Sequence, residues 1–265
     1  MLRPGNDIAA LGRYQRQAAF EGLGPDGQRA LSAGRVLIVG AGGLGSWTAE
    51  LLARAGVGFL RLADADRVDL TNLHRQAMYD ESDAAAGTAK VRAAAEHLRR
   101  INRTVRVELI ERRLERDNAE SLSADVDVIV DGTDNFATRF LLNDVAIKLR
   151  RPWVFGGVVG TQGQTMTIVP GRTRCLRCVL DVPPPSCQDP RCSDHGVLGP
   201  AVAAVAAIQA AEAVKILSGR MDDISGYLVK IDTWTNQWQR IGGPGAAARP
   251  GCPCCGQRDF EFLEP

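Results

Sequence analysis

Apolar residues along this chain follow two rhythms. Short, mostly apolar runs recur at 36–39, 59–63, 126–130 and 153–157, and 105–110 alternates apolar with charged residues. Runs of that length suit strands buried on both faces, as in a parallel sheet. Between them lie stretches with helical spacing. Residues 44–55 form one such stretch, ended by Gly56 and Gly58; in 88–101, Val91, Ala94, Ala95 and Leu98 mark an apolar stripe, and 136–149 reads as a third helix. Residues 13–33 are mixed, with Leu23, Ala30 and Leu31 as packing positions, and are expected to be a helical lead-in. Strand–helix alternation of this kind predicts an α/β fold, a Rossmann-like, doubly wound, mainly parallel sheet.

The rhythm changes after Gly157. Residues 164–169 alternate, and 226–231 and 237–241 read as further strands with frequent turns, so antiparallel strands should continue the fold in the C-terminal half. The most apolar segment, 199–217, is rich in alanine but contains Gln209, Glu212 and Lys215. Its uninterrupted apolar part is about half of the ~20 residues a bilayer requires, so a buried helix is expected and no membrane span. Pro183, Pro184 and Pro185 forbid regular structure and predict a long loop running on through Cys187 and Cys192.

Composition narrows the class. The 265 residues are 45% hydrophobic and 24% charged, ordinary for a single globular domain with a sizeable core. The expected division is a helical element at 13–33, a nucleotide-binding half at 34–157, and a second half at 158–265. Thirty-two basic residues face 31 acidic ones, a net charge of +1, so no basic surplus argues for nucleic acid. The N-terminus carries no apolar leader, which points to the cytoplasm. Seven cysteines in that setting argue for metal or thiol chemistry rather than disulfides.

The first apolar run leads into Gly40, Gly42, Gly43 and Gly45, and Asp64 follows the second run. Glycines at a strand-to-helix turn let backbone approach a phosphate, and a carboxylate at the end of the next strand suits ribose hydroxyls. An NAD-dependent oxidoreductase would need no more than this. The chain, however, adds Asp66, Asn72, Arg75, Gln76, Lys90 and Asp134. Attack of a carboxylate on the α-phosphate of ATP brings two anions together, so cations and a metal must neutralise them. Arg75 and Lys90 supply positive charge, Asp134 suits Mg²⁺, and Asn72 and Gln76 suit phosphate or metal ligands. Cys175-x-x-Cys178 and Cys252-x-x-Cys255 offer four sulfurs for tetrahedral, structural Zn²⁺, in a knuckle-like turn introduced by Pro250-Gly251. Cys254 is an alternative fourth ligand, and Cys255 is preferred on spacing.

The ordered series RYQRQ at 13–17, GAGGLG at 40–45, DADRVDLTNLHRQ at 64–76, Lys90, DGTDN at 131–135 and the two Cys-x-x-Cys pairs resembles the ubiquitin-activating-enzyme-like superfamily, and within it the bacterial ThiF and MoeB adenylyltransferases. The resemblance runs from about residue 13 to residue 255. It implies ATP-dependent adenylation of the C-terminal glycine of a small ubiquitin-like sulfur-carrier protein, with a separate protein donating sulfur. It implies a nucleotide set of Gly40, Gly42, Gly43, Gly45, Asp64, Asp66, Thr71, Asn72, Leu73, His74, Arg75, Gln76, Lys90, Asp134 and Asn135. It further implies a homodimer in which Arg16 reaches the ATP of the partner subunit. The stretch from Cys192 matches a loop that carries a reactive cysteine in some members; Cys187 is the alternative thiol, and His195 could lower a neighbouring thiol's pKa. Two rivals remain beside the oxidoreductase: a non-catalytic scaffold binding a ubiquitin-like partner, and an enzyme adenylating a carboxylate on modified tRNA.

Overall fold

A computed structural model describes residues 8–184, 196–242 and 248–264. Eight strands form one sheet in the order β3-β2-β1-β4-β5-β6-β7-β8. β1 (Arg35–Val39), β2 (Phe59–Ala63), β3 (Arg106–Ile110), β4 (Val128–Asp131) and β5 (Trp153–Val159) are parallel. β6 (Gln162–Ile168), β7 (Leu228–Asp232) and β8 (Gln237–Ile241) continue the same sheet antiparallel.

Alternation along each parallel strand explains the layers. Val36, Ile38, Leu60, Leu62, Val128 and Val130 face one core, and Leu37, Val39, Phe59, Ala63 and Ile129 face the other. The first core is closed by α2 (Gly24–Ala33), α3 (Gly43–Ala55), α5 (Lys90–Ile101) and α9 (Gly199–Leu217). α6 (Arg116–Ser123) and α7 (Phe136–Lys148) close the second, together with the cysteine-bearing segments. A strand apolar on both faces needs a helix on both sides, which is why the sheet is doubly wound. α9 is long and apolar enough for a span by length and composition, yet it packs against α3, β5 and β6. Its Gln209 and Glu212 are buried, Gln209 donating to Val154 O and Glu212 accepting from the Thr167 hydroxyl. It is a core helix.

The structure departs from the sequence pattern in three places. The 13–33 lead-in is not one helix: a 3₁₀ segment and the single turn α1 (Gln15–Ala18) precede a break, and α2 starts afresh. Gly24 turns the chain at φ +67°, and Pro25, lacking an N–H, fits only the first turn of a new helix. α4 (Glu81–Ala86) and α6 lack apolar spacing; each is held by a capping box, Asp80 with Asp83 and Glu115 with Asn118. The one-turn α8 (Leu176–Val179) carries Cys178.

Candidate active site

Three glycines bring two loops into backbone contact at the carboxyl ends of β1 and β4. A Cβ on Gly45 would stand 1.8 Å from the Gly40 carbonyl oxygen, and one on Gly132 would stand 2.4 Å from it. Gly40 itself has φ +88°, and its own Cβ would meet Gly132 O at 2.5 Å. No side chain fits between these backbones. The hydroxyl of buried Tyr79 donates to Ala41 O at 2.6 Å, fixing the loop from behind. Gly42 is the N-cap of α3 and no side chain caps that helix, so its first N–H groups are open to an anion.

Beside this loop stands a group of charges. Asp64 accepts from Ala41 N–H through Oδ2 and from Asp66 N–H through Oδ1, both at 2.7 Å. Burial raises its pKa, with Lys90 partly offsetting the effect. Lys90, at the start of α5 and almost fully buried, places Nζ 3.1 Å from Asp66 Oδ2. Arg113, between β3 and α6, lies 3.5 Å from Asp66 Oδ1. Burial pushes the Asp66 carboxyl upward, but Lys90 and Arg113 together hold it below the usual carboxylate range.

The turn after β2 builds the next wall. Asp69 accepts from Thr71 N–H and from its hydroxyl, shaping the 3₁₀ turn Leu70–Asn72. Arg75 donates to Asn72 Oδ1 at 2.7 Å and to Thr71 O at 3.1 Å, and His74 Nε2 lies 3.1 Å from it. Trp47 Nε1 donates to Arg75 O. Gln76 is 4% exposed, and its Oε1 has no partner among the described residues.

Behind the loop after β4 sits a buried ionic frame. Asp131 is fully buried and accepts from Thr133 N–H and from its hydroxyl. Burial raises the Asp131 pKa against the attraction of Arg139, whose Nε is 3.4 Å away. Arg139 donates to Thr133 O at 2.7 Å and Gly156 O at 3.1 Å. Gln209 reaches across from α9 to donate to Asp131 O at 2.8 Å. Asn135 caps α7 by accepting from Thr138 N–H, which leaves the Asp134 carboxylate exposed at the rim.

These parts enclose one cavity of about 1310 Å³. Gly40, Gly42, Gly43, Asp64, Asp66, Asn72, Arg75, Gln76, Lys90, Asp134 and Asn135 all line it. Of the remaining sequence-selected residues, Gly45 packs beneath the loop, and Thr71, Leu73 and His74 shape the turn without lining the cavity. Arg16 is exposed and is not among the lining residues of its own chain's cavity. Cys187, Cys192 and His195 lie outside the described residues. Arg113 and Arg139, which lie outside the motifs, also line it, as does Arg67, which lies within the 64–76 motif but to which the resemblance assigns no role.

On the far side of α7, the Sγ atoms of Cys175, Cys178, Cys252 and Cys255 lie within 4.8 Å of one another. The closest separations are 3.4 Å (Cys178–Cys255), 3.6 Å (Cys175–Cys252) and 3.8 Å (Cys175–Cys178). Tetrahedral zinc with Zn–S of about 2.3 Å has S–S edges of about 3.8 Å, so the four sulfurs are consistent with a zinc site. Crowding beside Cys175, followed by burial, pushes the Cys178 thiol up to about 12, and burial, followed by contact with Cys178, does the same to Cys255. A cation would be needed to keep them as thiolates. Cys254 is not one of these four; its sulfur lies beside Cys175 and Asp144 and accepts from Asn143 Nδ2 at 3.1 Å.

The chain is 40% identical over 252 residues to the sulfur carrier protein ThiS adenylyltransferase of Bacillus subtilis, covering 95% of this chain and 74% of that protein. It is 38% identical over 251 residues to the sulfur carrier protein adenylyltransferase of Thermus thermophilus, covering 93% and 91%. The crystal structure of Escherichia coli MccB with ATP superposes with a TM-score of 0.78 over 92% of this chain and 74% of that one; at 22% identity it shows a shared fold. The ThiF family profile matches residues 14–254, and the chain belongs to the ThiF family.

Proposed function

We propose that the protein adenylates the C-terminal glycine carboxylate of a small ubiquitin-like sulfur-carrier protein of the ThiS or MoaD type, acting as a single adenylation domain in the cytoplasm. One observation carries this reading: the glycine-loop backbone, paired acids and cations, and an exposed carboxylate line a single cavity that continues across polar strands.

The N-terminus of α3 and Arg75 take the phosphate charge, and Asp64 holds the ribose. Asn72 holds Arg75 in place, and Gln76 offers its free carbonyl oxygen to the nucleotide side. The tail carboxylate attacks the α-phosphorus, the bond to the bridging oxygen breaks, and pyrophosphate leaves with that electron pair. Lys90, tethered to Asp66, offsets the charge that gathers during attack. Mg²⁺, for which the exposed Asp134 carboxylate is suitable, would supply further neutralisation. Alignment and electrostatics suffice, and no protein nucleophile is required. Arg16 acts from the partner subunit of a homodimer, which accounts for its distance from its own cavity. A second protein donates sulfur to the acyl-adenylate; Cys192, or Cys187 in its place, is the thiol assigned to that later step. Zn²⁺ in the four-cysteine cluster is structural, because four sulfur ligands leave no open position. An oxidoreductase would leave Arg75, Lys90 and Asp134 idle, a scaffold would need none of them, and the near-neutral overall charge disfavours tRNA.

The test is ATP–pyrophosphate exchange. A cognate carrier should support exchange with Mg²⁺, and the same carrier lacking its last glycine should not. Exchange indifferent to that truncation would remove the proposed substrate.

A further inference from the structure

The cavity does not stop at the nucleotide loops. Its second lobe is one face of the antiparallel strands, and its make-up follows from register. Gly157 of β5 pairs with Gln164 of β6, Gln164 with Lys230 of β7, and Lys230 with Gln239 of β8. Cross-strand partners point to the same side. Two residues along, Val159, Gln162, Asp232 and Gln237 form a parallel row on the same face. All eight residues line the cavity.

Two features of this face indicate a ligand. Amides dominate it, and amide side chains both donate to and accept from a peptide backbone without regard to sequence. Its single cation is Lys230. Among the described residues, Lys90 pairs with Asp66, Lys148 with Glu120 and Glu264, and Lys215 with Glu212, whereas Lys230 has no acidic partner. The only carboxylate on the face, Asp232, is occupied by the Thr161 hydroxyl and the N–H of Trp234. The row also has an inner end. Gly157 sits against Arg139, where a Cβ would come within 3.3 Å of the guanidinium, so a side chain there would narrow the passage to the nucleotide lobe.

Resting on the adenylation reading, in which the carrier's extended C-terminal tail must reach the nucleotide lobe along this face, we infer that Lys230 selects an acidic side chain upstream of the terminal glycine. The position follows from the sheet. From β5 to β7 is two strand spacings of about 4.8 Å, or about 10 Å, which an extended peptide covers in about three residues. With the terminal glycine beside Gly157, the third residue before it lies over Lys230. The four glutamines hold the tail by its backbone, and charge at that one position sets the choice of carrier.

The test uses three fluorescein-labelled decapeptides ending in Gly-Gly that differ only at that third position: Glu, Gln or Lys. Binding to the full chain with α,β-methylene-ATP present is read by anisotropy. A ThiS-type carrier bearing the same three residues is assayed by pyrophosphate exchange. The Glu peptide should bind about tenfold more tightly than the Lys peptide, with Gln between them, and added salt should narrow the gap. Lys230→Glu should reverse the order, and Lys230→Gln should flatten it. In exchange, the difference should appear in KM for the carrier rather than in kcat. Equal affinity for all three peptides, no binding by any of them, or an order unchanged in Lys230→Glu would overturn the inference. Exchange that proceeds with no preference for tail charge sinks this inference and leaves adenylation standing. Charge-selective peptide binding without exchange by any carrier does the reverse.

Discussion

Substituting Gly45 with alanine tests the backbone contact on which the nucleotide loop depends. The new methyl carbon would stand 1.8 Å from Gly40 O, against about 3.5 Å for a relaxed contact. Relief therefore requires a movement of more than about 1 Å. The Gly40 carbonyl has little room to retreat, because Gly132 also crowds it. The loop must move as a whole, or α3 must lift from β1. Overpacking against backbone falls at the upper end of its usual range, about 3 kcal/mol, and alanine inside a helix returns about 1 kcal/mol. A net loss of about 2 kcal/mol is expected by urea denaturation. The displaced loop should also weaken ATP handling by about a hundredfold, since a shift of about 1 Å in a positioning element has that effect. Gly43→Ala is the comparison. Its Cβ would meet Val202 Cγ1 at 3.0 Å, with Val202 Cγ2 and Arg75 Cγ at ordinary contact distance, and a shift of a few tenths of an ångström relieves it. Its stability should stay within about 1 kcal/mol of the parent protein. If Gly45→Ala unfolds at the parent's urea midpoint and keeps its ATP affinity, the three-glycine contact does not organise the site.

Lys90→Ala, Arg75→Ala and Asp134→Ala should each slow carrier-dependent exchange about a hundredfold or more, the scale for losing a charge-stabilising group; near-parental rates in all three would mean the reaction occurs elsewhere. Protein purified without chelators should carry about one Zn²⁺ per chain by elemental analysis. Cys252→Ser should lose both the metal and heat resistance, while Cys254→Ser should keep the metal, because Cys254 is engaged by Asn143 and lies outside the cluster; the opposite pattern would make Cys254 the ligand. Mixing equal amounts of Arg16→Ala and Asp134→Ala chains should restore about a quarter of the active sites, since about half the dimers are mixed and each of those has one intact site. No recovery despite verified subunit exchange would place Arg16 in its own subunit's site, or in none.

Much of this protein could be read from local sequence. The four inner parallel strands and the helices after the first, second and fourth parallel strands declare themselves because a strand buried on both faces must be largely apolar, and a helix covering it must repeat at helical spacing; edge strand β3, half exposed, shows instead as an alternation of apolar and charged residues. The glycine loop, Asp64 and the Cys-x-x-Cys pairs are equally local, since each needs particular residue types at short range. Polar α4 and α6 escaped that test because capping, not an apolar stripe, marks them. Other features exist only once distant segments meet. Gly132 matters because its loop touches Gly40, and nothing beside it in sequence says so. Arg113 and Arg139 look like ordinary surface arginines until the fold sets one against Asp66 and the other against Asp131. Spacing already favours Cys255 over Cys254, but only the fold shows which sulfurs meet and that Cys254 accepts instead from Asn143, 111 positions away. The row from Gly157 to Gln239 depends wholly on strand register, and shifting one strand by a single residue would turn its side chains to the opposite face. Propensity and burial act on neighbours along the chain and are written there. Pairing and close approach act between segments far apart in sequence, and only the folded chain brings those together.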